Sequence, residues 1–409
     1  MTHKVHYGEY TLQHWIDLML SEDIVMPGYQ RSFVWEKDMV KKMIENLKKD
    51  YFVPPIIICQ YVKDGRSQNF ILDGQQRLTS VLLSKLGVFP DKTKFTNLEE
   101  IKDENDDDVD DIDDDDDGLE EVGTLDDDDT YKAICDWQYK KMIEGQRTIE
   151  GVKKVLKSKK EWYLDVDYQV DEQFFKSHYL GFCYIQPKAD IQPNEQMEYY
   201  STLFRNINEQ GVALSPQESR ESLYFMDESK TQFFNPDFIK PINIKTKKGV
   251  THVDFARYLA LLSDLKKNSV NRVATGVKKD FEPYYEEYID AVVRDLDSLK
   301  FGKFSSIFPS TELSQRTERL KQSIADLSMR AKTYNSIIVL DVDFFGLVYH
   351  VLFEGRQIDM TRKAQLRADL DNKANKFKKS RKHSKNPAGL IYLRIRIKDS
   401  LSIYKKYLV

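Results

Sequence analysis

The sequence predicts an α+β protein, with a mixed α/β domain over residues 1–240 and a mainly helical domain over 241–409. Three observations predict it. The apolar run Phe70-Ile71-Leu72 stops at Asp73-Gly74, and Leu78, Val81, Leu82 and Leu86 then recur at helical spacing, so a strand turns directly into a helix. Ahead of it, Val53-Pro54-Pro55-Ile56-Ile57-Ile58 reads as a buried strand that leads through a hairpin into Phe70. Beyond Pro241 the apolar residues follow helical periods over 253–266, 280–299, 311–336 and 341–353.

The remaining elements follow in chain order. Residues 10–19 form a short amphipathic helix, with Leu12, Trp15, Ile16 and Met19 on one face and Tyr10 or Thr11 near its cap. Trp15 and Trp35 read as core residues. Tyr29 precedes a Gln-Arg pair and is a candidate for stacking on a base. A helix over 38–47 precedes the Pro-Pro strand. Residues 162–166 and 182–185 have β-type composition. Residues 195–206 are helical through Met197, Tyr200, Leu203 and Phe204. A turn over 208–214 follows, and Ser215 caps a helix running to Phe225, with Pro216 at its first position and Glu218 completing a capping box.

Charge divides the chain. Residues 99–129 hold 20 acidic residues and one lysine, while the rest carries 61 Lys and Arg against 47 Asp and Glu, a net of +14. A basic body of this kind suits a protein that meets polyanions such as DNA. The acidic run, about 103–129, has too few apolar residues to offset its ordering entropy and reads as a disordered insertion. It lacks the spacing of a calcium loop. Its functional alternative is a nucleic-acid mimic that occupies the basic body. Near the C-terminus, Lys373, Lys376, Lys378, Lys379, Arg381, Lys382 and Lys385 follow one another without an acid between 373 and 385. They form an exposed helix face or a phosphate-contacting patch, and the reading favours the patch.

The corner at residues 73–77 carries the chemistry. Asp73, Gln75, Gln76 and Arg77 sit between strand and helix, where backbone N–H groups and the positive helix end stabilise an anion. Arg77 suits a two-pronged phosphate contact, and Asp73 suits Mg2+. The plainer alternative is a tight turn whose polar residues cap the helix.

The order of Tyr29-Gln30-Arg31, a helix, Pro54-Pro55-Ile56 and Asp73-Gly74-Gln75-Gln76-Arg77 resembles the DGQQR-motif family, which includes the GmrS-type and SspE-type N-terminal domains. The stretch from Phe204 through Asn208 and Ser215 to Gln217 and Glu218 is similar to a further segment of that family, with Asn206 where arginine is more usual. The resemblance covers about residues 8–262. It implies a core like that of ParB and sulfiredoxin, in which this turn binds and hydrolyses an NTP or contacts nucleic acid. Carried over by position, Tyr29, Gln30 and Arg31 flank the pocket and Asp73, Gly74, Gln75, Gln76 and Arg77 line it. Asn208 and Gln217 either reach the pocket or brace the turn. In the catalytic version, Arg31 and Arg77 bind phosphate oxygens, Asp73 holds metal or water, and Gln76 orients the attacking water.

Other classes are disfavoured. Seven scattered histidines, His252 among them, offer no H-E-x-x-H pair for a zinc hydrolase. Cys59, Cys135 and Cys183 are isolated and read as reduced thiols in a cytoplasmic or nucleoid-associated protein. The N-terminus shows no apolar signal core, and no stretch approaches the roughly 20 apolar residues of a membrane helix. Fused family members carry an HNH nuclease. Here His350 lies in an apolar run and His383 in the lysine-rich tail, so cutting is assigned to a separately encoded HNH partner or is absent. Three functions therefore stand: a nucleotide-hydrolysing component of a DNA-targeting defence system, a DNA-binding protein that keeps the fold without turnover, and a nuclease in its own right. An oligomer is compatible with each.

Overall fold

A computed structural model describes residues 3–27, 32–63, 66–95, 137–188, 191–208, 216–246, 249–277 and 280–409. The acidic insertion, Cys135, the Tyr29-Gln30-Arg31 turn and Ser215 lie outside the described residues.

The chain is α+β. Its N-terminal part is built on β1 (Lys4–Thr11), α1 (Leu12–Ser21), β2 (Ile24–Val25), α2 (Lys37–Lys48), β3 (Ile56–Lys63), β4 (Arg66–Asp73) and α3 (Gln75–Leu86). β5 (Val88–Pro90), α4 (Tyr139–Ile143), α5 (Ile149–Ser158), β6 (Tyr163–Asp165), α6 (Glu172–Ser177) and β7 (Tyr179–Gln186) follow. β5 and β6, on either side of the insertion, pair antiparallel. A mixed five-stranded sheet runs in the order β1-β7-β3-β4-β2.

β1 carries no signal in the sequence. Its side chains are mostly exposed on both faces, so Lys4–Thr11 shows no apolar alternation, and its pairing with β7 along its whole length makes it a strand. Thr11 ends that strand and caps α1, its hydroxyl accepting from the N–H of His14 at 3.2 Å. Trp15 is fully buried and its indole N–H donates to the Leu180 carbonyl at 3.0 Å.

Both faces of β4 are covered, which explains its unbroken apolar run. Ile71 packs with α1 and α3 on one face. Phe70 and Leu72 point to the other, where they meet Met197, Tyr200 and Phe204 of α7 (Pro193–Asn208). Gln196 grips β3, accepting from the Val62 N–H and donating to the Val62 carbonyl, each at 3.0 Å. One helical turn on, the Tyr200 hydroxyl donates to the Gln60 carbonyl at 2.6 Å.

The second core is larger and helical. It begins at Tyr224, within α8 (Pro216–Tyr224), and includes α9 (Thr231–Phe234), a hairpin of β8 (Asn243–Thr246) and β9 (Gly249–His252), α10 (Phe255–Lys267) and α11 (Glu282–Val293). After α12 (Phe304–Ile307) come α13 (Ser310–Asp326), β10 (Thr333–Tyr334), α14 (Ile337–Val348), α15 (Lys363–Lys378), α16 (Arg381–Lys385) and α17 (Leu390–Lys405).

Two expectations need correction here. The single helix over 311–336 is broken: Ser328 and Ala331 adopt φ of 59° and 58°, β10 pairs in parallel with β8, and the Ser336 hydroxyl caps α14 at the N–H of Ile338. The region after Pro241 also contains strands, because the β8–β9 hairpin is short and flanked by apolar helices that dominate the periodicity.

Buried ion groups hold this core together. Asp341 is fully buried and receives both guanidinium nitrogens of Arg257 (2.6 and 3.0 Å), Nε of Arg396 (2.9 Å) and the Tyr258 hydroxyl (2.9 Å). Burial alone would raise its carboxyl, but the Arg257 and Arg396 guanidiniums hold it below the usual range. Arg220 of α8, also fully buried, bridges Asp254 and Glu282 at 2.6 Å each. It thereby locks α8 onto α10 and α11, and Arg205 of α7 pairs with Glu286 of α11 beside it.

Candidate functional site at the strand-to-helix corner

The site is made by the last residue of β4 and the first turn of α3. Asp73 ends the strand, Gly74 turns the chain with φ 101°, and Gln75 opens the helix. Only glycine fits at 74. A Cβ there would stand 2.4 Å from Ile56 Cδ1 and 3.3 Å from Ile56 Cα, in a left-handed conformation that side chains resist. Gly74→Ala is expected to cost about 2–4 kcal/mol of stability from strain plus overpacking. A denaturant midpoint equal to that of the parent protein would refute this reading of the turn.

Asp73 and Arg77 face each other one helical turn apart, with Arg77 Nη2 at 2.6 Å from Asp73 Oδ2. The same nitrogen donates to the Pro55 carbonyl at 3.2 Å, which ties the Pro-Pro strand to the corner. Arg77 is 14% exposed and Asp73 33% exposed, so the pair sits at the mouth of the corner rather than sealed beneath it. Nε of Arg77 is buried without a hydrogen-bond partner, as is the hydroxyl of Thr79. Sequence reasoning passed over Thr79 because a helical threonine next to Leu78 gives no signal of its own.

Gln76 has a bracing role. Its side-chain carbonyl accepts from the N–H groups of Val34 (2.9 Å) and Trp35 (3.3 Å), and its amide donates to the Ser32 carbonyl (3.1 Å). The amide expected to orient a water is thus engaged with backbone. The consequence is informative, because Ser32 directly follows the Tyr29-Gln30-Arg31 turn, and Gln76 therefore pins the end of that motif to the first turn of α3. Gln75 is buried beside it.

The third motif arrives from the opposite face. α7 advances from Gln196 at Val62 to Tyr200 at Gln60, antiparallel to β3. It runs towards the end of β3 where Ile57 is the register partner of Asp73. The side chains of Asn208 and Gln217 lie outside the described residues.

The model of the GmrSD restriction endonuclease N-terminal domain matches residues 13–225. That is more than half of the chain. The chain belongs to this family. A search among curated proteins returned no match. The GmrSD domain starts within α1 and ends just past α8, so it contains all three motifs. It gives the chain the N-terminal domain of a restriction-system component.

Outside the GmrSD domain, the remaining candidates fall in different places. Lys376, Lys378, Lys379, Arg381 and Lys382 are all exposed at the end of α15 and on α16, and none forms an ion pair among the described residues. Lys373 differs, pairing with Asp399 at 2.9 Å. His350 is buried, with Nδ1 2.7 Å from Glu354 and Nε2 3.0 Å from the Leu401 carbonyl. His383 is buried between the rings of Phe377 and Tyr392, and desolvation, with Arg396 nearby, lowers its pKa. Cys59 is buried in the sheet, and desolvation pushes its thiol well up, away from the thiolate needed for nucleophilic work. No group of three or more His, Cys, Asp or Glu side chains suited to a metal occurs among the described residues, and no helix there is long and apolar enough to cross a membrane.

Proposed function

We propose that this GmrSD-family protein is a nucleotide-binding, NTP-hydrolysing component of a DNA-targeting restriction or defence system. The observation that carries the reading is the half-open Asp73–Arg77 pair at the N-terminus of α3, with all five residues of the Asp73–Arg77 motif present. Phosphoryl transfer to water needs positioning and charge neutralisation more than covalent chemistry. Arg77 supplies the charge, with Arg31 from the neighbouring turn as its partner on the phosphates. Asp73 has one oxygen engaged by Arg77, and its other oxygen makes no hydrogen bond among the described residues. A single carboxylate with the substrate's own phosphates is a sufficient donor set for Mg2+, which supplies further neutralisation when bound. Gln76 acts as a positioning residue, holding Ser32, Val34 and Trp35 against the helix.

One observation favours a second reading. Arg77 already satisfies Asp73 and the Pro55 carbonyl, and Gln76 is engaged with backbone, as in a corner kept for its shape. In that reading the protein binds DNA without turnover. Incubating the protein with each NTP and magnesium, with and without DNA, separates the two. Phosphate release supports hydrolysis, and a DNA mobility shift without release supports the second reading. Strand scission by the isolated chain would overturn the assignment of cutting to a separately encoded HNH partner.

The exposed cations of α15 and α16 are proposed to contact DNA phosphates. Replacing Lys378, Lys379, Arg381 and Lys382 by glutamine is expected to flatten the dependence of log K on log salt by about 3–4 for duplex DNA, at about 0.9 per lost contact. An unchanged slope would make these residues a solvated helix end.

A further inference from the structure

The loop between α2 and β3 presents two aromatic rings to solvent. Tyr51 is 62% exposed and Phe52 83% exposed, and neither ring has an aromatic or cationic partner among the described residues. Scattered exposed apolar residues are ordinary, but these two are adjacent and rigidly held. Asp50 reverses the chain at φ 51°, its N–H donating to the Leu47 carbonyl, and the Tyr51 N–H donates to the Asn46 carbonyl at 2.9 Å. The backbone that carries Tyr51 is therefore anchored to the end of α2, which lowers the ordering cost of binding.

The segment that leads to them is basic. Residues 37–50 hold five lysines against three acids. Lys41, Lys42 and Lys49 are exposed and form no ion pair among the described residues. Phe52 is also only three residues before Pro55, whose carbonyl accepts from Arg77, a span of at most about 10 Å of extended chain. Unpartnered rings beside unpaired lysines are the combination that binds single-stranded nucleic acid, bases stacking on the rings and phosphates following the cations. A duplex hides its base faces and cannot use the rings in this way.

We infer that Tyr51 and Phe52, with Lys49 close by in the chain and Lys41 and Lys42 farther back along α2, form a stacking platform for unpaired bases of a nucleic-acid strand led towards the Arg77 corner. The inference rests on the nucleic-acid part of the proposed function and not on nucleotide turnover. It assigns base contact to the corner side of the GmrSD domain, apart from the phosphate contacts of α15 and α16.

Fluorescence anisotropy with labelled oligothymidylate and with a labelled duplex tests it on the full chain. Phe52→Ala is expected to weaken single-strand binding about tenfold, the Tyr51→Ala and Phe52→Ala double variant further, and Phe52→Trp to retain affinity. The alanine variants should leave the slope of log K against log salt unchanged, because stacking releases no counterions, whereas Lys41→Gln with Lys42→Gln should flatten it. The thermal midpoint of Phe52→Ala reports its folding, and so exposed a ring contributes little to the core. Single-strand affinity equal in parent and alanine variants, or an equal loss on duplex, would overturn the platform. NTP hydrolysis by the parent protein is measured separately, so failure of turnover and failure of the platform are distinct results.

Discussion

Arg77→Ala is expected to lower NTP turnover by at least about a hundredfold, the usual consequence of removing one preorganised charge from a developing phosphoryl anion. Arg77→Lys should recover little, because a point charge cannot hold Asp73, the Pro55 carbonyl and a phosphate in the planar fork that the guanidinium offers. Asp73 is the more exposed end of the ion pair, so loss of the Arg77 side chain leaves a part-exposed carboxylate and not a buried orphan. Stability should therefore fall much less than activity. Phosphate release measured beside the thermal midpoint checks both. Retained turnover in a folded Arg77→Ala protein would remove the corner from catalysis and leave it a structural turn. A joint collapse of fold and activity would show that the pair is a structural clasp.

The second large effect lies far from the corner. Asp341→Ala is expected to cost about 3–5 kcal/mol, because it leaves Arg396 charged and fully buried, Arg257 charged and largely buried beside it, and the Tyr258 hydroxyl without its acceptor. Replacing the group as a whole, by Asp341→Leu with Arg257→Met and Arg396→Met, should recover most of that loss, since a buried ion group is costly mainly when broken. The linkage to pH has a definite sign. The folded carboxyl of Asp341 is held below its unfolded value, so its contribution is present above the unfolded carboxylate pKa of about 4 and is lost as pH falls through the lower folded value. Denaturant unfolding of the parent and single variant at neutral pH and in mild acid measures both claims. A single variant as stable as its parent would mean that the three charges are not sealed from water.

Much of the fold was legible because burial writes itself into periodicity. α1, α2, α3, α7 and α10 each place apolar residues at helical spacing, and β4 announces its two covered faces by an unbroken apolar run. β1 was invisible for the opposite reason: an edge strand with both faces wet has nothing to alternate. The break between α13 and α14 was hidden because Ser328 and Ala331, neither of them glycine, take left-handed conformations that local preference disfavours. Tertiary packing imposes them. Asp341 and Asp343 likewise look like surface charges in a helix, and only the cations brought by α10, α15 and α17 make them interior groups.

The amino-acid order by itself determined the turn at Asp73-Gly74, the segments that flank it and the family to which they are similar, since these depend on neighbours a few residues away. The folded chain decided which polar groups are free to act. Gln76 and Arg77 are one residue apart, yet helical geometry sends the first inward to grip Ser32, Val34 and Trp35 and sets the second, part-buried, against Asp73 and the Pro55 carbonyl. Contacts that join residue 76 to residue 32, or residue 55 to residue 77, are set by long-range packing, and no local pattern encodes them.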